Sequence, residues 1–138
     1  MNNVPLGPAG EAAPLRWQHA HPKEAEAFGQ MTTAELVAVA NGLHEARLSI
    51  GGIVNQPRIS HSDAATSFFD DEFDRLAELY EMTIEELRRR PSSGDRSVDQ
   101  DRLRIVATYD LLDAGGSILD VIAYLAAGLE ALPNGDAS

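Results

Sequence analysis

The residues that could do chemistry are unevenly placed along this chain. From Ser60 to Glu86 stand nine carboxylates (Asp63, Asp70, Asp71, Glu72, Asp74, Glu78, Glu81, Glu85 and Glu86) and one base, Arg75. Asp71, Asp74 and Glu78 recur at spacings of three and four, which sets them on one side of a helix, with Asp70 beside them. Such a stripe can meet a basic surface on another macromolecule, where complementary potentials speed encounter and select partners. The plain alternative is the solvated outer face of a helix. Six arginines follow from Arg88 to Arg104, among them the run Arg88, Arg89 and Arg90. Cations in that position close a helix C-terminus, where they suit the dipole, or form a secondary basic patch. From Ile105 onward there are five acids and no base, and Lys23 is the sole lysine.

Metal and catalytic chemistry find little support. A dinuclear carboxylate centre in a bundle needs Glu-x-x-His on two helices and a glutamate on each of two others. No Glu-x-x-His occurs, because Asn41 stands three residues before His44 and Arg58 three before His61. His19 and His21 would make a ligand pair only if a metal ordered their proline-flanked stretch; a flexible polar segment is the simpler reading. His44 beside Leu43 reads as a half-buried packing residue. His61 lies between Ser60 and Ser62, but adjacency in sequence does not build a nucleophile and base, and no elbow or oxyanion loop accompanies it. These serines read instead as helix-start residues. Gly51-Gly52 and Gly115-Gly116 lack the further residues of a phosphate loop. The absence of cysteine removes disulfides, thiolate metal sites and cysteine nucleophiles together. No cofactor, no metal and no enzyme activity are expected.

The elements that position these residues are helical. With 138 residues, 43% of them hydrophobic, the chain has room for a single domain. Residues 1–30 carry Pro5, Pro8, Pro14 and Pro22 without a sustained period and read as an irregular or disordered arm, with Trp17 and Phe28 its only large anchors. Residues 31–132 read as the bundle domain and 133–138 as a disordered tail. Capping-box spacings occur at Thr32/Glu35, Thr83/Glu86 and Ser97/Gln100, with a weaker one at Ser117/Asp120. Periodic apolar residues then predict helices over about 33–55, 63–80, 83–90, 99–114 and 117–132. No run alternates as a strand does. The expected fold is all-α: four main helices and one short one, with an irregular N-terminal arm.

The segment from Arg75 to Arg90 resembles the helix-turn-helix of small transcription regulators, with Leu76-Ala77 before a turn and Thr83 capping a second helix. That resemblance implies DNA binding, with Arg88 to Arg90 facing phosphate. Against it, Glu81 stands where a glycine is favoured, and Glu85 and Glu86 would approach the bases. A net charge of −11, from 22 acids and 11 bases, also argues against nucleic acid and anionic membrane surfaces as partners. Met1 to Pro14 lacks the pattern of a signal peptide, and no apolar run spans a bilayer, so a cytoplasmic protein is expected. The last two predicted helices are apolar around more than half their circumference. They either sit centrally or pack on a partner, which allows a homo-oligomer. The sequence therefore points to a non-enzymatic acidic interaction protein, an adaptor, regulator or inhibitor. Its expected partner is a protein with a basic surface. Asp70, Asp71, Asp74 and Glu78 are the expected contact stripe, with Arg88, Arg89 and Arg90 as a secondary patch.

Overall fold

The computed structural model of the chain describes residues 15–132. Seven helices follow one another: α1 (Leu15–Ala20), α2 (Pro22–Gln30), α3 (Thr33–Val54), α4 (Pro57–Ser60), α5 (Asp63–Arg89), α6 (Arg96–Leu112) and α7 (Ile118–Glu130). No strand occurs among the described residues, and the fold is an all-α bundle.

The predicted punctuation holds at three places. Thr32 accepts from the Glu35 amide while the Glu35 carboxylate accepts from the Thr32 amide, closing the capping box of α3. The Ser62 hydroxyl accepts from the Ala65 amide at the start of α5. Pro57 falls just after α3 and opens the one-turn α4.

Elsewhere the sequence reading is corrected. Residues 15–30 form two helices rather than an irregular arm. Pro22 sits in the first turn of α2, where its missing N–H has no helical partner to lose. Trp17, Ala25 and Phe28 are buried in the core, so the two large anchors do pin this segment. The helices predicted over 63–80 and 83–90 are one unbroken helix. Thr83 does not cap: it is fully buried mid-helix, and its hydroxyl donates to the Tyr80 carbonyl at 2.6 Å. Leu79, Met82, Ile84 and Leu87 continue the buried face past that point, and neither glycine nor proline interrupts it. Helix α6 is capped by Asp95, which accepts from the Ser97 and Val98 amides, not by Ser97. Ser117 precedes α7 but makes no side-chain cap. Residues 1–14 and 133–138 lie outside the described residues.

The core is gathered at one end. Trp17 and Phe28 from α1 and α2 meet Leu36, Val37 and Ala40 of α3, Leu79 to Leu87 of α5, and Ile105 and Val106 of α6. Buried residues of α3 stop at Ala40, and those of α5 begin at Leu76. The remaining halves of these two helices pair with each other and with α4 as a hairpin leading away from the core. Helix α7 packs on α6, with Val121 and Leu132 buried and Tyr124 against the core.

Candidate functional site

The acidic stripe lies on the solvent side of α5. At 100° per residue, Asp70, Asp74, Glu78, Glu81 and Glu85 fall within one arc, with Asp71 at its edge. The stripe has two halves with different neighbours. Its C-terminal half is covered by α1. The Arg16 guanidinium reaches Glu81 at 3.3 Å and also bonds Glu85, and the Trp17 indole N–H donates to Glu85. The same guanidinium lies 4.2 Å from the centre of the Trp17 ring, a cation–π contact. His21, between α1 and α2, places its Nε2 2.6 Å from Glu78.

The N-terminal half is open. Asp70, Asp71 and Asp74 are exposed, and none pairs with a cation among the described residues. Arg75, one turn after Asp71, is engaged by Glu72 instead, through two nitrogens at 3.0 and 3.2 Å. That bond holds the Glu72 carboxyl below its ordinary range. Phe68, one turn before Asp71, is 69% exposed and sets its ring edge against Phe69. Where the halves meet, Asp74, Glu78 and Glu81 border a polar hollow of about 370 Å³ with Arg47, Tyr109 and Asp113. Arg47 bonds Asp113 at 3.4 Å and lies 5.1 Å from the Tyr80 ring centre. Burial raises the pKa of Tyr80 and Tyr109 alike, so both phenols stay neutral there.

The three arginines expected as a secondary basic patch stand at the C-terminal end of α5. Each is engaged by its own bundle. Arg88 makes a two-pronged contact with Asp110 of α6, one prong at 2.8 Å. Arg89 bonds Glu86. Arg90 bonds Glu86 at 2.8 Å and donates to the Met31 and Phe28 carbonyls at 2.7 and 2.9 Å, closing the C-terminus of α2 from outside the helix. Burial lowers the pKa of Arg90 from its ordinary value. Arg102 does the same service for α5, donating to the Arg90 carbonyl. Beneath it Asp99, fully buried, accepts from the Ser92 hydroxyl at 2.7 Å and the Ser93 amide at 2.9 Å. Burial works to raise the Asp99 pKa, but these bonds and the Arg102 charge outweigh it and hold the carboxyl below its ordinary value.

The other candidates settle into structural places. His44 is half-buried, its ring 5.5 Å from that of Tyr80. His61 is exposed at the end of α4, and the neighbouring Ser62 caps α5. No group of three or more His, Asp and Glu that could hold a metal is found among the described residues. The segment 75–90 contains no turn, so the two helices of a helix-turn-helix are not formed there. No helix among the described residues is long and apolar enough to cross a membrane.

Sequence reasoning missed the seat of α1 on α5. The signal was present: Arg16, His19 and His21 with Trp17 make a basic, aromatic stretch in an otherwise acidic chain. The chain matches no family model, no curated protein and no solved structure.

Proposed function

We propose that this chain is a non-enzymatic acidic interaction protein, an adaptor, regulator or inhibitor, that docks the open half of its α5 stripe on a basic surface of a protein partner. Asp70, Asp71 and Asp74 supply the charge, Glu78 marks the boundary with α1, and Phe68 offers an apolar anchor beside them. The observation that carries the reading is the contrast between the two halves of one stripe. Half of it seats an arginine and a tryptophan from the chain's own α1 and the histidine that follows it. The other half offers the same carboxylates to solvent without a cation. Unpaired like charges at helical spacing lower stability, and a cost of that kind fits a surface kept for binding.

The test is partner capture with the purified chain and with a variant carrying Asp70→Arg and Asp74→Arg. The wild type should retain a partner at low salt and lose it as salt rises, because rim and surface charges are screened. The double variant should lose that partner while its far-UV circular dichroism stays unchanged. Equal retention by both proteins removes the stripe from the function.

A further inference from the structure

We infer that the outer face of α6 and α7 is the contact between two copies of this chain. Leu111 and Leu112 at the end of α6, with Ile118, Leu119, Ile122 and Leu129 of α7, are between 40% and 75% exposed. A shallow groove of about 460 Å³ runs alongside between the two helices, floored by Leu103, Ala107 and Leu125. Ile118, Ile122, Leu125, Leu129 and Leu132 repeat at alternating spacings of four and three, the seam of a helix that packs lengthwise on another. Inside one copy that seam is only partly used. Val121, Leu132 and Gly128 turn toward α6, and a Cβ at Gly128 would collide with the Leu103 methyls, so the two helices already touch. Leu125 is half-buried at the groove, while Ile118, Ile122 and Leu129 stay more than half exposed.

Area and charge name the occupant. The exposed parts of those six side chains amount to roughly 600 Å² per copy, at the upper limit of what monomers leave as one apolar patch. Two such faces together reach about 1,200 Å², where specific protein interfaces begin, before the alanines between them are counted. A chain of charge −11 repels its own kind wherever acids face one another. Along this seam they do not: the only charges of α7 are Asp120 and Glu130, both off the Ile118–Ile122–Leu129 line. A partner chosen for basic charge would find nothing to pair with here, whereas a second copy brings the same neutral seam.

The experiment is sedimentation equilibrium of the full chain over a concentration series, with Ile122→Glu/Leu129→Glu and Asp70→Arg/Asp74→Arg variants alongside. Both residues of the first pair are more than half exposed, so their replacement leaves the core intact; circular dichroism and the urea midpoint verify this. The wild type should reach twice the 14.9 kDa chain mass. The α7 variant should dissociate at least about 100-fold more readily, since a charge would be buried in the seam. The α5 variant should keep the wild-type mass, which separates this contact from the docking stripe. A wild type that stays at single-chain mass overturns the inference. A dimer that survives Ile122→Glu/Leu129→Glu overturns it equally.

Discussion

Replacing Asp74 by asparagine should make the protein more stable, and the amount follows from its neighbours. Asp74 is exposed, four residues after Asp70, three after Asp71 and four before Glu78. Like charges at these spacings cost an isolated helix about 0.2–0.5 kcal/mol per pair, so three pairs cost about 0.6–1.5 kcal/mol. Arg47 across the polar hollow returns part of this, although it bonds Asp113 and not Asp74. Asparagine and aspartate have nearly equal helix propensities, so the substitution isolates the charge. The expected net gain is about 0.5–1 kcal/mol in low salt. At about 1 M salt the Debye length falls to roughly 3 Å and most of the gain should vanish. Urea unfolding followed by circular dichroism measures it, with the slope unchanged between the two proteins. If Asp74→Asn is no more stable than the wild type at low salt, a cation already balances the ridge. The docking proposal then loses its physical basis.

Three further outcomes follow from the buried polar network and the α6–α7 crossing. Asp99→Ala strands the Ser93 amide and the Arg102 charge, and should cost about 3–5 kcal/mol. Because the folded Asp99 pKa is depressed, the advantage of wild type over Asp99→Asn should be full above the unfolded value of about 3.9 and fade as pH falls through the lower folded one; a gap that persists into strong acid refutes the assignment. The three adjacent arginines should differ in urea unfolding. Arg88→Ala should cost less than about 1 kcal/mol, since its pair with Asp110 is 41% exposed on the arginine side. Arg90→Ala should cost about 1.5–3 kcal/mol, and Arg90→Lys should not restore it, because one ammonium cannot span the Phe28 and Met31 carbonyls and Glu86 together. Gly128→Ala, which in an open helix would stabilise by about 1 kcal/mol, should instead lower the melting temperature by pushing α7 off Leu103.

The helical class was legible because capping and period agreed along most of the chain: Thr32 with Glu35, Ser62 before α5, and apolar residues three and four apart. What escaped were decisions taken by tertiary contacts. Thr83 and Glu86 have the spacing of a helix start, yet a buried face running from Leu76 to Leu87 keeps the helix going through them. Prolines in residues 1–30 look like breakers, but Pro22 merely begins a helix, and burial of Trp17 and Phe28 stabilises a segment too short to be helical alone. The acidic stripe could be placed from spacing, since α5 is regular. The fate of Arg88 and Arg90 could not, because Asp110 and the Phe28 and Met31 carbonyls come from other parts of the chain, up to 62 residues away; only Glu86, shared by Arg89 and Arg90, is local.

Helix α1 bears on how a basic partner must approach. It is six residues long; it holds to α5 through Arg16 and Trp17 against Glu81 and Glu85, and His21 just after it adds Glu78. A partner that contacts only Asp70, Asp71 and Asp74 leaves this seat intact. One whose basic surface extends along α5 past Glu78 competes with Arg16 for the same carboxylates, and its affinity is reduced by the cost of lifting α1. Trp17 is the only tryptophan, and it is buried, so its emission distinguishes the two cases directly. A short contact leaves the emission where it is, whereas displacement carries the indole into water and moves the emission to the red. Under the proposed docking, the open half of the stripe sets which partners can arrive, and the α1 seat sets how much of α5 they can take.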